Sequence, residues 1–185
     1  MKIIPAVHPE VLIVEPDVFG DARGFFMETW HQEKFAEQGL NENFVQDNHS
    51  RSGKGVLRGL HYQLQQPQGK LVRAINGAVF DVAVDVRRGS PRFGEWVGLE
   101  LSDENMRQLY IPPGFAHGFC VLSERVDFMY KCTRFYAPED EYGIAWDDPA
   151  VGIDWPNMDV VLSELDRQLP NLAQSTHLPE YTAVE

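Results

Sequence analysis

Apolar and polar positions alternate in short runs along most of the chain, and glycine or proline cuts the runs apart. The clearest run is Ala78–Arg87, where Phe80, Val82, Val84 and Val86 alternate with Asp81, Ala83 and Asp85. A period of two marks a β-strand with one buried face. With Lys70–Asn76 before it and Asn76-Gly77 at the turn, the run predicts a hairpin. Further strands are predicted over Val11–Glu15, Gly24–Trp30, Phe44–His49, Glu95–Leu101, Gln108–Ile111, Phe115–Leu122 and Val126–Tyr136. Turns are predicted at Phe19–Arg23, Gly89–Pro91 and Pro112–Gly114, and a flexible loop at Ser50–Gly55. Two stretches read as short helices: His31–Gln38, stopped by Gly39, and Ser163–Gln168, capped by Ser163.

Short strands with turns about every ten residues are the pattern of an all-β sandwich or barrel. The mostly antiparallel order predicts a two-sheet jelly roll with short peripheral helices and a ligand cavity between the sheets. The 185 residues suit one domain over 1–185, with 171–185 expected as a loose tail poor in core candidates.

Charge narrows the partners. With 28 acidic against 16 basic residues, the formal net charge is −12. That argues against a nucleic-acid or anionic-membrane surface, since phosphate backbones need a basic face. A small anionic ligand remains compatible if Arg and Lys cluster locally. Cys120 and Cys132 lie in apolar runs and are expected as reduced, buried thiols, a disulfide being the other reading. The amino-terminal MKIIPAVHPE lacks a signal-peptide core, and no run reaches the roughly 18 apolar residues of a membrane span. A soluble cytoplasmic protein is expected.

The candidate chemistry centres on Val56–Arg73, VLRGLHYQLQQPQGKLVR, which places Arg58, His61 and Lys70 in a strand–turn–strand setting. Arg58 and His61 are three apart, so a regular strand would point them to opposite faces. Gly59 between them predicts a bulge that turns both into one cavity. A metal site would draw on His61, on His117 in PPGFAHGF and on His49, but no His-x-His pair exists and the set is weak. Nucleophilic catalysis lacks a G-x-S-x-G elbow, and neither cysteine has a neighbouring histidine. Acid–base chemistry has the right side chains. An imidazole with a carboxylate partner is a base near neutral pH, a lysine beside a ketone oxygen stabilises an enolate, and a tyrosine returns the proton. His61, Lys70 and Tyr130 are the candidates.

Six motifs occur in order: GDARGFFMETW, FVQDNHSRS, GVLRGLHYQ, QGKLVRAINGAVFDVAVDVR, PPGFAHGF and FYAPEDEYGIAWDDP. As a set they resemble the dTDP-4-dehydrorhamnose 3,5-epimerase family of the dTDP-L-rhamnose pathway, from about Pro5 to Asp166. The resemblance implies a cupin-type jelly roll, a homodimer and no metal or organic cofactor. The implied substrate is dTDP-4-dehydro-6-deoxy-glucose, whose C4 ketone acidifies the hydrogens on C3 and C5. It further implies His61 as base, Asp166 as the carboxylate that orients it, Tyr130 as general acid and Lys70 beside the C4 oxygen. Implied ligand contacts are Arg23, Glu28, Gln46, Asp47, Asn48, Arg58, His117, Tyr136 on the thymine ring, and Glu141. Arg23 and Glu28 lie in a motif that crosses to the partner subunit in the family. One departure stands out: the family's L-S-x-K-D is LSELD here, so Leu165 occupies the lysine position and Arg167 is the nearby polar candidate. The alternatives are a single-centre epimerase, a 3,4-ketoisomerase of similar fold, a non-catalytic sugar-nucleotide-binding cupin and a metal-dependent cupin oxygenase.

Overall fold

The fold, a computed structural model, is described over residues 1–182. Its strands are β1 (Lys2–Pro5), β2 (Leu12–Glu15), β3 (Val18–Asp21), β4 (Gly24–Met27), β5 (Gln46–Gly53), β6 (Leu57–Gln63), β7 (Lys70–Asn76), β8 (Ala78–Asp85), β9 (Trp96–Ser102), β10 (Gln108–Ile111), β11 (Phe115–Val121), β12 (Arg125–Cys132) and β13 (Glu141–Gly143). Six form one sheet in the order β1-β2-β10-β7-β12-β5, and five form a second in the order β13-β6-β11-β8-β9. The β3–β4 hairpin stands by itself. This is the expected all-β, cupin-like architecture, built as two open sheets. The main core lies between them: Val72, Leu109, Ile111 and Phe128 from one sheet meet Val79, Ala83, Phe119 and Val121 from the other.

The predicted β7–β8 hairpin does not form. β7 pairs with β10 and β12, whereas β8 pairs with β11 and β9. Asn76-Gly77 carries the chain from one sheet to the other. Gly77 has φ +78°, and a β-carbon there would collide with the Arg125 carbonyl. An Asn-Gly corner between sheets and an Asn-Gly hairpin look alike locally, because the difference lies in which distant strands fill the neighbouring lanes.

β8 is also buried on both faces, not one. Val79 and Ala83 face the opposite sheet. Val82, Val84 and Val86 pack with Ile144, Val151 and Leu172 from the carboxy-terminal part of the chain. The polar members of the alternation are therefore buried too. Asp85 accepts from Arg87 Nε at 2.9 Å and Ser90 Oγ at 2.6 Å, and Arg87 reaches Glu10 at 2.7 Å. This cluster helps hold the segment expected as a loose tail. Arg87 lies over the Tyr181 ring, and Arg88 exchanges backbone hydrogen bonds with Pro179 and Tyr181. Residues 171–182 are thus docked by ring stacking and backbone pairing; the remainder of the expected tail, 183–185, is outside the described residues.

Three smaller differences concern where strands begin and end. The expected loop Ser50–Gly55 is strand as far as Gly53, and the expected turn Phe19–Arg23 is mostly β3, with the reversal at Ala22–Arg23. β12 ends at Cys132, short of Tyr136. In β5 polar composition mimics irregular backbone, yet its outward residues are paired: Arg51 Nε is 2.8 Å from Asp127 Oδ1 on β12 and His49 Nε2 is 3.0 Å from the same oxygen. The first predicted helix forms as α1 (Gln32–Glu37), with His31 as its cap and Gly39 at φ +91° after it. The second is a single 3-10 turn, Asp166–Gln168, whose Asp166 amide donates to Ser163 Oγ at 3.0 Å. Both cysteines are free and buried.

Candidate active site

A cavity of about 660 Å³ opens between the sheets, a size typical of small-ligand sites. His61 on β6 and His117 on β11 belong to the five-stranded wall, while Lys70 on β7, Tyr130 on β12 and Gln46 and Asn48 on β5 belong to the six-stranded wall. Tyr136, Glu141 and the segment around Asp166 complete the lining.

The bulge expected at Gly59 is present. His117 pairs with His61 and Phe119 with Arg58, so Gly59 and Leu60 together oppose Gly118 alone. Gly59 has φ +107°, and a β-carbon there would lie 2.5 Å from the His117 carbonyl oxygen. The extra residue breaks the alternation. Arg58 and His61 therefore both line the cavity, and Leu60 packs away from it in a separate apolar cluster.

His61 is held by its Nε2, 2.6 Å from Asp166 Oδ1. An ionised carboxylate only accepts, so Nε2 carries the hydrogen and Nδ1 keeps its lone pair. Nδ1 is 3.8 Å from Glu141 Oε1, beyond hydrogen-bond reach. Asp166 is buried, which by itself raises its pKa, but its hydrogen bonds with His61 and Ser163 outweigh that and hold the carboxyl below the usual range. It stays an anion able to stabilise an imidazolium.

On the other side of the cavity, burial pushes the Lys70 ammonium below lysine's ordinary range, partly offset by Cys132, Glu141 and Asp81. Burial likewise raises the Tyr130 phenol, keeping it a proton donor. Tyr130 pairs across strands with Val72, two residues from Lys70 on the same inward face. His117 Nε2 lies 3.0 and 3.2 Å from the two oxygens of Asp81, whose carboxyl burial pushes up and His117 pulls back. At the rim, the Tyr136 hydroxyl donates to Glu141 Oε2 at 2.9 Å.

Ten of the thirteen expected site residues line the cavity, whereas Arg23, Glu28 and Asp47 lie elsewhere. Asp47 falls between Gln46 and Asn48 on β5, so the strand's period of two points it outward, where Lys131 Nζ pairs with it at 2.9 Å. Arg23 sits at the tip of the β3–β4 hairpin bound to Asp21, and Glu28 pairs with Lys34 at 2.9 Å. His49, the third metal candidate, also faces outward. No group of three or more His, Cys, Asp or Glu among the described residues is arranged to hold a metal. Leu165 lies on the cavity rim, 76% exposed. Arg167 does not take its place, because its guanidinium turns to the Leu162 carbonyl at 3.4 Å. Asp81 was missed; an acidic residue inside the apolar run FDVAVDV was its one signal.

Two proton-handling groups on facing walls, with a half-buried lysine beside one of them, can remove a proton from one face of a bound carbon and supply one to the other.

The family model described as dTDP-4-dehydrorhamnose 3,5-epimerase matches residues 6–174. A dTDP-4-dehydrorhamnose 3,5-epimerase of Pseudomonas aeruginosa is 59% identical over 181 residues, 97% of this chain and 100% of that protein. The crystal structure of a dTDP-6-deoxy-D-glucose-3,5-epimerase from Legionella pneumophila, in complex with dTDP-4-keto-L-rhamnose, matches with a TM-score of 0.96 and 54% identity, covering 98% of this chain and 99% of that one. A 3'-monoepimerase from Streptomyces bikiniensis, in complex with dTDP-quinovose, matches with a TM-score of 0.91 and 33% identity, covering 96% and 93%.

Proposed function

Because the chain belongs to the dTDP-4-dehydrorhamnose 3,5-epimerase family, we propose that it is an isomerase that inverts C3 and C5 of dTDP-4-dehydro-6-deoxy-D-glucose to give dTDP-4-dehydro-L-rhamnose. The relative solved with dTDP-4-keto-L-rhamnose supports this substrate class. At each centre His61 Nδ1 takes the proton next to the C4 ketone. Asp166 holds the ring and stabilises the imidazolium. The electron pair moves onto the C4 oxygen, where Lys70 stabilises the enolate. Tyr130 then delivers a proton to the other face, and proton exchange with solvent returns His61 to the neutral imidazole and Tyr130 to the phenol before the second centre reacts. The observation that carries this reading is the placement of His61 and Tyr130 on opposite walls of one cavity. Neither step calls on a cofactor.

The remaining site residues are read as ligand contacts: Arg58 for the diphosphate, as a guanidinium fork suits phosphate oxygens, Tyr136 for the thymine ring, and Gln46, Asn48, His117 and Glu141 along the walls. The decisive experiment is turnover in heavy water. Deuterium is expected at both C3 and C5, with both centres inverted in the product by NMR. Uptake at one centre would instead identify a single-centre epimerase, as in the Streptomyces bikiniensis relative, and movement of the ketone to C3 would identify a ketoisomerase. Binding without uptake would leave a sugar-nucleotide-binding protein.

We also read the protein as a cytoplasmic homodimer with strand exchange. No helix among the described residues is long and apolar enough to cross a membrane. The β3–β4 hairpin exposes Phe19, Phe25 and Phe26 at 64, 60 and 69%, a costly apolar surface that suits a subunit contact. Crossing to the partner would carry Arg23 and Glu28 to the partner's cavity and account for their distance from this one. Changing Phe19, Phe25 and Phe26 to serine is expected to give a monomer in sedimentation velocity with weakened substrate binding; an unchanged dimer would overturn this role of the hairpin.

A further inference from the structure

We infer that Cys132 is a positioning residue for ligand binding: its sulfur accepts the hydrogen bond that turns the Asn48 amide toward the cavity. The argument starts at a group whose polarity is fixed. The Tyr136 backbone N–H can only donate, and it donates to Gln46 Oε1 at 2.9 Å. That orientation leaves Gln46 Nε2 to donate to Asn48 Oδ1 at 3.0 Å. Asn48 Oδ1 is thereby an acceptor, so its Nδ2 faces Cys132 Sγ, at 3.6 Å. Amide orientation, ordinarily assigned by the surrounding network, follows here from one backbone hydrogen.

Cys132 ends the row and does not itself line the cavity. It lies between strands, opposite Gln46 on β5 and opposite Lys70 on β7. It is fully buried, and burial raises its thiol against the pull of Lys70 and Asn48, so a neutral sulfur serves as a weak acceptor. With one Nδ2 hydrogen committed to sulfur and Gln46 committed to Asn48, each amide keeps one N–H for the cavity. The row presents donors to an acceptor-rich ligand, which fits the nucleotide sugar proposed above. On that reading rests only the identity of the ligand.

The test compares Cys132→Ala and Cys132→Val, which lack the acceptor, with Cys132→Ser, which keeps one. Removing the acceptor is expected to raise KM and the Kd for thymidine diphosphate roughly five- to tenfold, with kcat within about twofold, and serine is expected to restore both constants. In an Asn48→Ala background, Cys132→Ala should add no further loss of affinity. Thermal melting identifies which variants are folded, and alanine and valine differ in volume so that cavity and overpacking effects separate. A measurement on the unaltered protein needs no variant: the two Asn48 Nδ2 protons should be well dispersed by NMR, one of them with a low temperature coefficient. A solvent-like proton pair, equal Kd in folded acceptor-free variants, or full additivity with Asn48→Ala would each overturn the inference. Failure of the unaltered protein to bind thymidine diphosphate would instead count against the substrate reading.

Discussion

Changing His61 to alanine is expected to abolish deuterium uptake at both C3 and C5 and to lower turnover by about 10²–10⁴-fold, the range for loss of a positioned base. One imidazole serves both centres in the proposed mechanism, so the two uptake signals should disappear together. Two features make the variant interpretable. His61 is partly exposed on the cavity wall, so truncation opens little core. The turn that carries Asp166 stays anchored, because the Asp166 backbone amide donates to Ser163 Oγ independently of His61. Affinity for thymidine diphosphate, measured by calorimetry, should change little, because the imidazole acts at the sugar ring. A variant that still exchanges either proton at the original rate would remove His61 as the base for that centre.

Changing Tyr130 to phenylalanine is expected to separate proton exchange from inversion. His61 remains, so the substrate should still lose its C3 and C5 protons to heavy water and take up deuterium on the original face. What should fall, by about 10²–10⁴-fold, is delivery to the opposite face and hence product formation. The ring stays in place against Phe128, at 6.3 Å between centroids, so folding should be unaffected. NMR of the recovered sugar is the readout: deuterium present, configuration unchanged. Undiminished product formation would show that another group reprotonates the enolate.

Local pattern carried most of the strands and the bulge at Gly59, because alternation and glycine act within a few residues. Pairing was less legible. The Asn76-Gly77 corner resembles a hairpin turn until β10, β12, β9 and β11 take their lanes. The docking of 171–182 depends on Arg87, almost a hundred residues earlier, and nothing near Tyr181 announces it. Within the site, the motifs pointed to His61, Asp166, Tyr130 and Lys70, and all four line one cavity. Asp47 shows the limit of a motif: it sits in the same tripeptide as Gln46 and Asn48, yet strand geometry turns it to the other face. Asp81 and Cys132 went unread as site residues because burial beside a cavity is a property of packed strands, not of sequence neighbours.

The crossing at Asn76-Gly77 reaches beyond topology. It sends β7 with Lys70 into one sheet and β8 with Asp81 into the other, just as His61 and Tyr130 are divided between the sheets. Neither sheet alone contains both an acid and a base, and Asp166 must still arrive from far along the chain. Such contacts span long loops whose closure is entropically costly. The proposed reaction centre is thus assembled only when the two sheets dock, and a partly folded form with a single sheet is expected to carry no partial activity. Enzymatic turnover in this molecule is a reporter of completed tertiary assembly.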